Sequence, residues 1–330
     1  MFKNILIMVL SIVFALGIFD FFLKYSPYEY GVTPVEYDKK IGTWHRKSYE
    51  NYAISECYKV KYIFDKKGLV ANIFEHNNTK KDVILLGDSY VEAIMVKNEN
   101  IIHNALAREL NQKYNFLNYG LSDSSPIQQF IILQEKVNLK NTKYVLQFIG
   151  LENDLKDVLY EKGKSRRRPK VYIDFKNFKE YEIIRPRNQT IFDKAGDLLS
   201  EYQLYFFLKR TFTYFKKHVL ERERSESKKV EKKDLNKNWM YFKGVIYQTK
   251  KYLKSVNFNI EYKILISSGN KKNNKIMREF LDNENIDYIF LEDEAKRLNK
   301  QLTNFTCDRH WDDQAHINIA KIIQESGLIK

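Results

Sequence analysis

From position 83 onward, short apolar segments alternate with longer segments in which apolar residues recur every three or four positions. The short segments are 83–86, 116–119, 144–149, 262–267 and 288–291, and the longer ones are 101–113, 126–137, 239–254, 273–284 and 314–325. Short apolar strands joined by amphipathic helices are typical of βαβ units, whose parallel strands are buried on both faces. The pattern therefore predicts an α/β domain built on a parallel sheet.

The alternation is interrupted between positions 155 and 238, where the chain is rich in Lys, Arg, Tyr and Phe. We interpret 155–238 as an insertion, basic and partly flexible, with a solvated hinge in its charged part at 221–238. The α/β domain is then discontinuous and consists of 81–154 and 239–330. A tether and irregular extension, 25–80, precedes it.

One part of the insertion is strongly aromatic, with Tyr202, Tyr205, Phe206 and Phe207 within six positions. Such a cluster is typical of the apolar face of a helix that packs into a core. A wall on which sugar rings stack is the alternative.

The N-terminal segment, 1–24, is apolar and carries no charge from Ile5 to Phe19. A helix of about 19 residues just spans the hydrocarbon layer of a membrane. An uncleaved anchor and a cleaved secretory signal both fit, the latter with a cleavage site at Ala15-Leu16-Gly17. We favour the anchor, because cleavage there would leave an apolar terminus. Lysines flank both sides, so charge does not determine the orientation.

The composition restricts the classes of partner and cofactor. The formal net charge is +14, but the basic residues are dispersed and no nucleic-acid-binding motif accompanies them, so nucleic acid is not an expected partner. The two cysteines, Cys57 and Cys307, lack metal-ligand spacing. They either form one disulfide in an exported chain or are two unrelated buried thiols. No metal and no cofactor are expected.

Polar residues and glycines follow three successive predicted strands. Gly87-Asp88-Ser89 follows the first, Gly120 the second and Asn153 the third. Ser89 is either a helix cap or a nucleophile at the carboxyl edge of the sheet, where loops and helix N-termini collect. In the second case the Ser89 and Gly120 N–H groups and the Asn153 amide can bind an oxyanion.

A nucleophilic serine needs a base with an orienting partner, and the C-terminal stretch CDRHWDDQAH offers two pairs. Asp308 and His310 project to the same side of an extended segment, and Asp313 and His316 share a face of a helix. We favour Asp308 and His310, because His316 lies on the apolar side of the last predicted helix. The other pair remains the alternative.

Together these blocks resemble the SGNH hydrolases, the superfamily of GDSL-like lipases and acylesterases, and above all its membrane-anchored bacterial members. The resemblance covers GDS at 87–89, NYG ending at Gly120, the Asn153 block and DRHWDDQAH. It implies a flavodoxin-like three-layer sandwich with a central parallel sheet, Ser89 as the nucleophile, and Asp308 and His310 as the rest of a triad. Departures are Ala93 and Ala315 where glycine is common, and a D-x-H spacing like that of alginate-type O-acetyltransferases.

The resemblance implies a serine esterase that removes O-acyl groups, O-acetyl above all, from a cell-envelope carbohydrate through an acyl-serine intermediate. An O-acyltransferase that passes the group to a glycan hydroxyl would use the same residues, and a catalytically silent glycan-binding scaffold is a further alternative. The implied location is the bacterial inner membrane, crossed once, with the catalytic domain on the periplasmic side. A membrane acyl-donor protein is a partner to be expected for the transferase.

Overall fold

This computed structural model describes residues 2–24, 34–159, 169–200, 202–215, 235–267 and 269–329. The strands are β1 (Val35–Asp38), β2 (Gly42–His45), β3 (Tyr49–Ile54), β4 (Lys59–Phe64), β5 (Asp82–Leu86), β6 (Asn115–Asn118), β7 (Thr142–Gly150), β8 (Tyr172–Phe175), β9 (Tyr181–Ile184), β10 (Glu261–Ser267) and β11 (Asp287–Phe290). The helices are α1 (Phe2–Lys24), α2 (Ser89–Glu92), α3 (Ile102–Glu109), α4 (Pro126–Glu135), α5 (Leu151–Asp157), α6 (Ile191–Leu199), α7 (Gln203–Phe215), α8 (Leu235–Val256), α9 (Lys271–Asn283), α10 (Leu291–Arg297) and α11 (Asp313–Glu325).

The chain forms two compact units, one of 35–188 and 232–330, and one of 1–34 and 189–231. We call the first the sheet unit and the second the helical unit. The boundaries expected from the sequence, with an insertion at 155–238, stay a prediction. The charged hinge expected at 221–238 lies, up to residue 234, outside the described residues.

A five-stranded sheet forms the centre of the sheet unit, in the order β11-β10-β7-β5-β6 with all neighbours parallel. The first strand of this sheet along the chain is β5. The next strand, β6, pairs with one side of β5, and the chain then crosses over to place β7 on the other side. This is the flavodoxin-like strand order, and the reversal opens a crevice at the carboxyl ends of β5 and β7. The predicted α/β fold with a parallel sheet is confirmed.

Side chains of the sheet alternate between two separate apolar clusters. On β5, Ile84 and Leu86 face the cluster built with α4, α8 and α9, whereas Val83 and Leu85 face the one built with α3 and α11. All four side chains are fully buried. A strand that is covered on both faces needs apolar residues at every position, which explains its uninterrupted apolar sequence. The result is a three-layer α/β/α arrangement.

Antiparallel hairpins cover the rest of the sheet unit. β1 pairs with β2, β3 with β4, and β8 with β9. Val70 bridges both Phe64, at the end of β4, and Asn118 in β6. The edge strand β6 is thereby shielded from pairing with another chain. Ile173 and Phe175 of β8 are buried in the same cluster as α4 and α8, so this hairpin is part of the core.

The helical unit contains α1, α6 and α7. Over Lys3–Leu23, α1 is long and apolar enough to cross a membrane. α7 packs on the C-terminal part of α1, where the Leu204 N–H donates to the Asp20 carboxylate at 2.7 Å and the rings of Phe19 and Phe207 meet edge to face at 5.8 Å. The two interpretations of the aromatic segment, a helix face packed into a core and a sugar-stacking wall, stay predictions.

Candidate active site

Ser89 lies at the crevice, in the first turn after β5. Asp88 caps this turn by accepting the Tyr90 N–H at 3.0 Å. A Cβ on Gly87 would stand 2.3 Å from Cγ2 of Val91, so only glycine lets the turn fold this closely onto the strand. Within the described part of the chain, no acceptor is paired with the Ser89 N–H. The serine hydroxyl and a backbone donor thus stand side by side at the edge of the sheet.

The loop before α11 brings Asp308 and His310 to Ser89. The Ser89 Oγ is 2.8 Å from Nε2 of His310, and Nδ1 of His310 is 2.6 Å from Oδ1 of Asp308. An ionised carboxylate only accepts hydrogen bonds, so Nδ1 carries the ring hydrogen and Nε2 is left to accept the hydroxyl hydrogen. This is the arrangement in which an imidazole can take a proton from a serine.

The charge state of Asp308 follows from its neighbours. Burial by itself raises the pKa of this carboxyl, but the hydrogen bond and charge of His310 outweigh burial and hold the pKa below its usual value. Asp308 also accepts the Tyr58 hydroxyl at 3.3 Å. The carboxylate is therefore ionised at neutral pH and fixed from two sides.

The same loop is fastened to distant parts of the sheet unit. Cys307 forms a disulfide with Cys57, which lies between β3 and β4. The Tyr90 hydroxyl donates to the Arg309 carbonyl at 3.1 Å, and the Tyr90 ring lies 5.0 Å from the His310 ring. Of the two possibilities that the sequence left open for the cysteines, the disulfide is present.

The alternative pair, Asp313 and His316, has other partners. Asp313 accepts hydrogen bonds from Lys97 and Asn100, and Nδ1 of the buried His316 accepts the Ile102 N–H at 3.3 Å. Burial lowers the pKa of His316 to about 3, so its ring is neutral. These two residues connect α11 to the start of α3, and the structure does not bring them to Ser89.

The predicted oxyanion residues occupy different places. Asn153 is exposed on α5 and lines the cavity beside Ser89. Gly120 packs against the backbone after Ser89, where an added Cβ would stand 2.3 Å from the Glu92 nitrogen. Its own N–H donates to Oδ1 of Asn118 at 2.9 Å. An oxyanion bound by the Gly120 N–H would have to replace that acceptor.

A cavity of about 230 Å³ opens at the carboxyl ends of β5, β7 and β10. It is lined by Asp88, Tyr90, Phe148, Ile149, Gly150, Leu151, Glu152, Asn153, Leu265, Ser267, Leu291, Arg309 and Trp311. Asp88 and Tyr90 flank Ser89 in sequence, and Arg309 and Trp311 flank His310. The cavity therefore adjoins the serine and its base.

Two carboxyl groups behind Ser89 are held in a low-dielectric environment. Burial raises the pKa of Asp88 to about 6, although the Tyr90 N–H and His310 act in the opposite direction. Burial, and then the charge of Asp88, raises the pKa of Asp154 well above its usual value, against the hydrogen bond from the Gly150 N–H. With a pKa of about 6 the Asp88 carboxyl is mostly ionised at neutral pH, whereas Asp154 is held toward its neutral form.

A buried polar network that the sequence did not predict lies beneath α2. Nε2 of His45 is 2.6 Å from Oε1 of Glu92, and Nδ1 of His45 is 2.7 Å from the Gly68 carbonyl. Glu92 also accepts the Ser122 hydroxyl. This network joins β2, the turn that carries Ser89, and the loop after Gly120. No local pattern could have revealed it, since its members are scattered along the chain.

The described residues contain no group of three or more His, Cys, Asp or Glu side chains placed to hold a metal ion. The expectation that the site needs neither metal nor cofactor stays a prediction. Catalysis at Ser89 would then depend on the side chains and backbone donors described above.

Comparisons with known proteins give structural neighbours only. No protein-family model matches the chain, and no curated protein matches it. Among solved structures, a protein described as lipolytic and of the G-D-S-L family from Desulfitobacterium hafniense has 11% identity and a TM-score of 0.41, with 74% of this chain and 99% of that chain covered. A protein described as a GDSL-like lipase from Bacteroides ovatus has 13% identity and a TM-score of 0.41, covering 76% and 98%.

An acetylxylan esterase from Geobacillus stearothermophilus has 11% identity and a TM-score of 0.40, covering 76% of this chain and 95% of that chain. The structural neighbours are thus GDSL-like lipases and acetylxylan esterases, the group that the sequence motifs resemble. At these TM-scores the likeness carries no argument about function, which has to come from the site itself.

Proposed function

We propose that this chain is an SGNH-type serine esterase that removes O-acyl groups, O-acetyl above all, from a carbohydrate of the cell envelope. The observation that carries the proposal is the hydrogen-bonded series Ser89, His310 and Asp308, with contacts of 2.8 and 2.6 Å. A nucleophile, a base and an orienting carboxylate within hydrogen-bond reach are the requirements for acyl transfer through a serine.

In the first half of the proposed reaction, the Ser89 Oγ attacks the ester carbonyl carbon while Nε2 of His310 takes the hydroxyl proton. The oxyanion accepts hydrogen bonds from the Ser89 N–H and the Asn153 amide, and from Gly120 once its N–H leaves Asn118. The imidazolium then donates its Nε2 proton to the departing sugar oxygen. The C–O bond to the sugar breaks, and an acyl-serine remains.

In the second half, water replaces the sugar. His310 takes a proton from the water as its oxygen attacks the acyl carbon, and returns the proton to the Ser89 Oγ as the acyl-serine bond breaks. Acetate and the free enzyme result. Asp308 stays ionised throughout and stabilises the imidazolium in both halves.

The size of the cavity supports a short acyl group. Pockets that enclose drug-sized ligands measure about 300–1,000 Å³, whereas the cavity beside Ser89 measures about 230 Å³. Its lining combines aromatic residues, Tyr90 and Trp311, with polar ones such as Asn153 and Arg309. An acetyl group next to a sugar ring suits such a lining better than a long lipid chain does.

Two features support a location at the outer face of the inner membrane, with α1 as a single-pass anchor. α1 is long and apolar enough to span the bilayer. The disulfide between Cys57 and Cys307 is of a kind that persists in oxidising compartments such as the periplasm and is rare in the cytosol. The proposed substrate, an O-acylated envelope glycan, lies in the same compartment.

The first experiment compares hydrolysis of p-nitrophenyl acetate by the full chain and by Ser89→Ala. We expect the variant to lose about 10³-fold or more in kcat/KM. Ser255→Ala is the matched control, because Ser255 is a surface serine whose hydroxyl donates to the Tyr252 carbonyl. Equal turnover by Ser89→Ala and the wild type would refute the proposal.

The O-acyltransferase is the second candidate, favoured by the D-x-H spacing of Asp308 and His310. It would use the same acyl-serine with a glycan hydroxyl in place of water. Incubation with an acetyl donor and a glycan acceptor separates the two: acetate release in excess of transfer supports the esterase, and transfer in excess of release supports the transferase. A membrane acyl-donor protein would then be the partner to seek.

A further inference from the structure

Helix α6 of the helical unit has an apolar face that the described residues leave uncovered. Its large apolar side chains are Ile191, Phe192, Leu198 and Leu199, which are 83, 87, 66 and 47% exposed. At 100° per residue these four positions fall on one face of the helix, Asp193 and Asp197 fall on the opposite face, and Lys194 lies at the boundary between the two. The N-terminus of the helix is also stabilised, because Thr190 and Asp193 form a capping box. A well-formed amphipathic helix therefore presents its apolar side to the surroundings.

The next helix also exposes apolar side chains. On α7, Leu208 and Phe212 lie one turn apart and are 55 and 66% exposed. Soluble proteins rarely expose large apolar patches such as the face of α6 unless something binds there.

The position of α6 along the chain indicates what covers it. α7 is fixed to the last turns of α1 by the hydrogen bond from the Leu204 N–H to Asp20. Leu204 follows Leu199 by five positions, so the chain can extend at most about 18 Å between them. α6 is thus held close to the end of the apolar helix, at the level where a membrane-spanning segment emerges from the bilayer.

We propose that α6 lies in the membrane–water interface, with its apolar face at the boundary of headgroups and acyl chains and its charged face toward water. A short helix with one apolar and one charged face, next to a spanning helix, has the properties of interfacial helices. The partner is the lipid bilayer that α1 crosses. Through α6 and α7, the inserted segment would add a second attachment to the membrane. This inference rests on α1 being inserted and is independent of the esterase activity.

The composition of α6 argues against a carbohydrate as the occupant. Its exposed face has one aromatic ring, Phe192, among aliphatic side chains, and it offers no hydrogen-bonding group to sugar hydroxyls. Aliphatic side chains gain by contact with acyl chains.

The test is a fluorescence measurement on the full chain in lipid nanodiscs. The two native cysteines are joined in a disulfide, so a Cys introduced by Phe192→Cys can be labelled alone with an environment-sensitive dye. Asp197→Cys, on the charged face of the same helix, is the matched control. Leu198→Cys gives a second position on the apolar face in case the first substitution impairs folding. Phe14→Cys, in the middle of α1, reports whether the anchor is inserted.

Phospholipids with a nitroxide near the headgroup quench dyes that lie at the interface. We expect about twofold or more stronger quenching at position 192 or 198 than at position 197, with emission shifted to the blue on the apolar face only. Phe14→Cys should be quenched best by a nitroxide deep in the acyl chain. Equal quenching on both faces of α6 would refute the proposal.

Two further outcomes would also overturn the proposal, and they identify the reason. A blue shift at 192 without lipid quenching means that protein, such as a second copy of this chain, covers the face. Absence of quenching at position 14 means that the anchor is not inserted and that the premise is wrong. Neither outcome changes the hydrolysis of p-nitrophenyl acetate expected from the site at Ser89, so this inference and the proposed function can fail separately.

Discussion

The buried carboxyl of Asp88 predicts a distinctive dependence of stability on pH. Burial raises its pKa from 3.8 to about 6 in the folded chain. Between these two values the folded chain keeps a proton that the unfolded chain has released. The folded state thus binds more protons, and the free energy of unfolding falls as the pH rises from about 4 to about 6. Above pH 6 the loss is complete.

The magnitude follows from the size of the pKa difference. Each pH unit corresponds to about 1.4 kcal/mol, so a difference of about two units costs about 3 kcal/mol of stability at neutral pH. Asp88→Asn removes the charge and keeps the cap, since an Asn side chain can also accept the Tyr90 N–H. We expect Asp88→Asn to be more stable than the wild type by about 3 kcal/mol at pH 7.5, and about equal to it near pH 3.5.

Urea unfolding followed by tryptophan fluorescence measures this effect. The three tryptophans, Trp44, Trp239 and Trp311, all lie in the sheet unit, so the signal reports on the unit that contains Asp88. For a slope of about 3 kcal/mol per molar urea, the midpoint of the variant should rise by about 1 M at pH 7.5. The chain is kept in a nonionic detergent throughout.

Asp88→Ala is the control at the same site. It removes the charge and the cap together, so it should gain about 1 kcal/mol less than Asp88→Asn. Both variants also remove the charge that helps to raise the pKa of the Asp154 carboxyl, and this removal contributes to the gain in unfolding free energy. Identical midpoints of wild type and Asp88→Asn at every pH from 4 to 7.5 would refute the reasoning.

Four further substitutions test other parts of the site. His310→Gln should lower hydrolysis of p-nitrophenyl acetate about 10³-fold or more. His316→Gln should change this hydrolysis by no more than a few-fold. It should lower the free energy of unfolding by about 1–3 kcal/mol, because a backbone N–H of α3 loses its acceptor. Gly120→Ala should cost about 1–3 kcal/mol in urea unfolding, because its Cβ would stand 2.3 Å from the Glu92 nitrogen. Cys307→Ser should lower the free energy of unfolding by about 2–5 kcal/mol, and reduction of the wild-type disulfide should have the same effect. Unchanged urea midpoints would contradict the predictions for Gly120→Ala and for the disulfide.

The strands of the central sheet could be predicted because each is a short apolar run with a clear end. All five strands observed in this sheet begin and end within two residues of the predicted positions. The predicted boundaries of the helices were less exact. The helix predicted for 101–113 ends at Glu109, where Asn111 and Gln112 take up positive φ angles of 48° and 54° and turn the chain toward β6. Local polar residues decide such ends, and apolar periodicity does not report them.

Helices α5 and α10 were missed for a common reason. Each has seven residues and begins directly after the last residue of a strand, at Leu151 and Leu291. No glycine or proline separates Phe290 from Leu291, so the apolar run of β11 continues into the helix. A helix of only one or two turns is stabilised by tertiary packing. The periodicity of apolar residues over such a short segment does not predict that packing.

The nucleophile was easier to predict than the base. The turn around Ser89 is local, so its sequence contains the strand end, the glycine and the cap together. Asp308 with His310 and Asp313 with His316 are both sterically reasonable pairs, and local sequence does not decide between them. The choice depends on which histidine the rest of the fold brings to the crevice. His316 is taken up by the packing of α11 on α3, and His310 is left to face Ser89.

The position of His310 depends on residues that belong to no catalytic motif. Its loop lies more than 200 positions after Ser89 and is fastened by the disulfide to Cys57 and by the Tyr58 hydroxyl to Asp308. Both attachments come from the segment between β3 and β4, before the first strand of the sheet. A proposed base whose loop is held in part by a disulfide is held less firmly in the reduced chain. The orientation of the base and the oxidising compartment proposed for this chain would therefore be linked, because reduction would remove one of the attachments of the loop that presents His310 to the nucleophile.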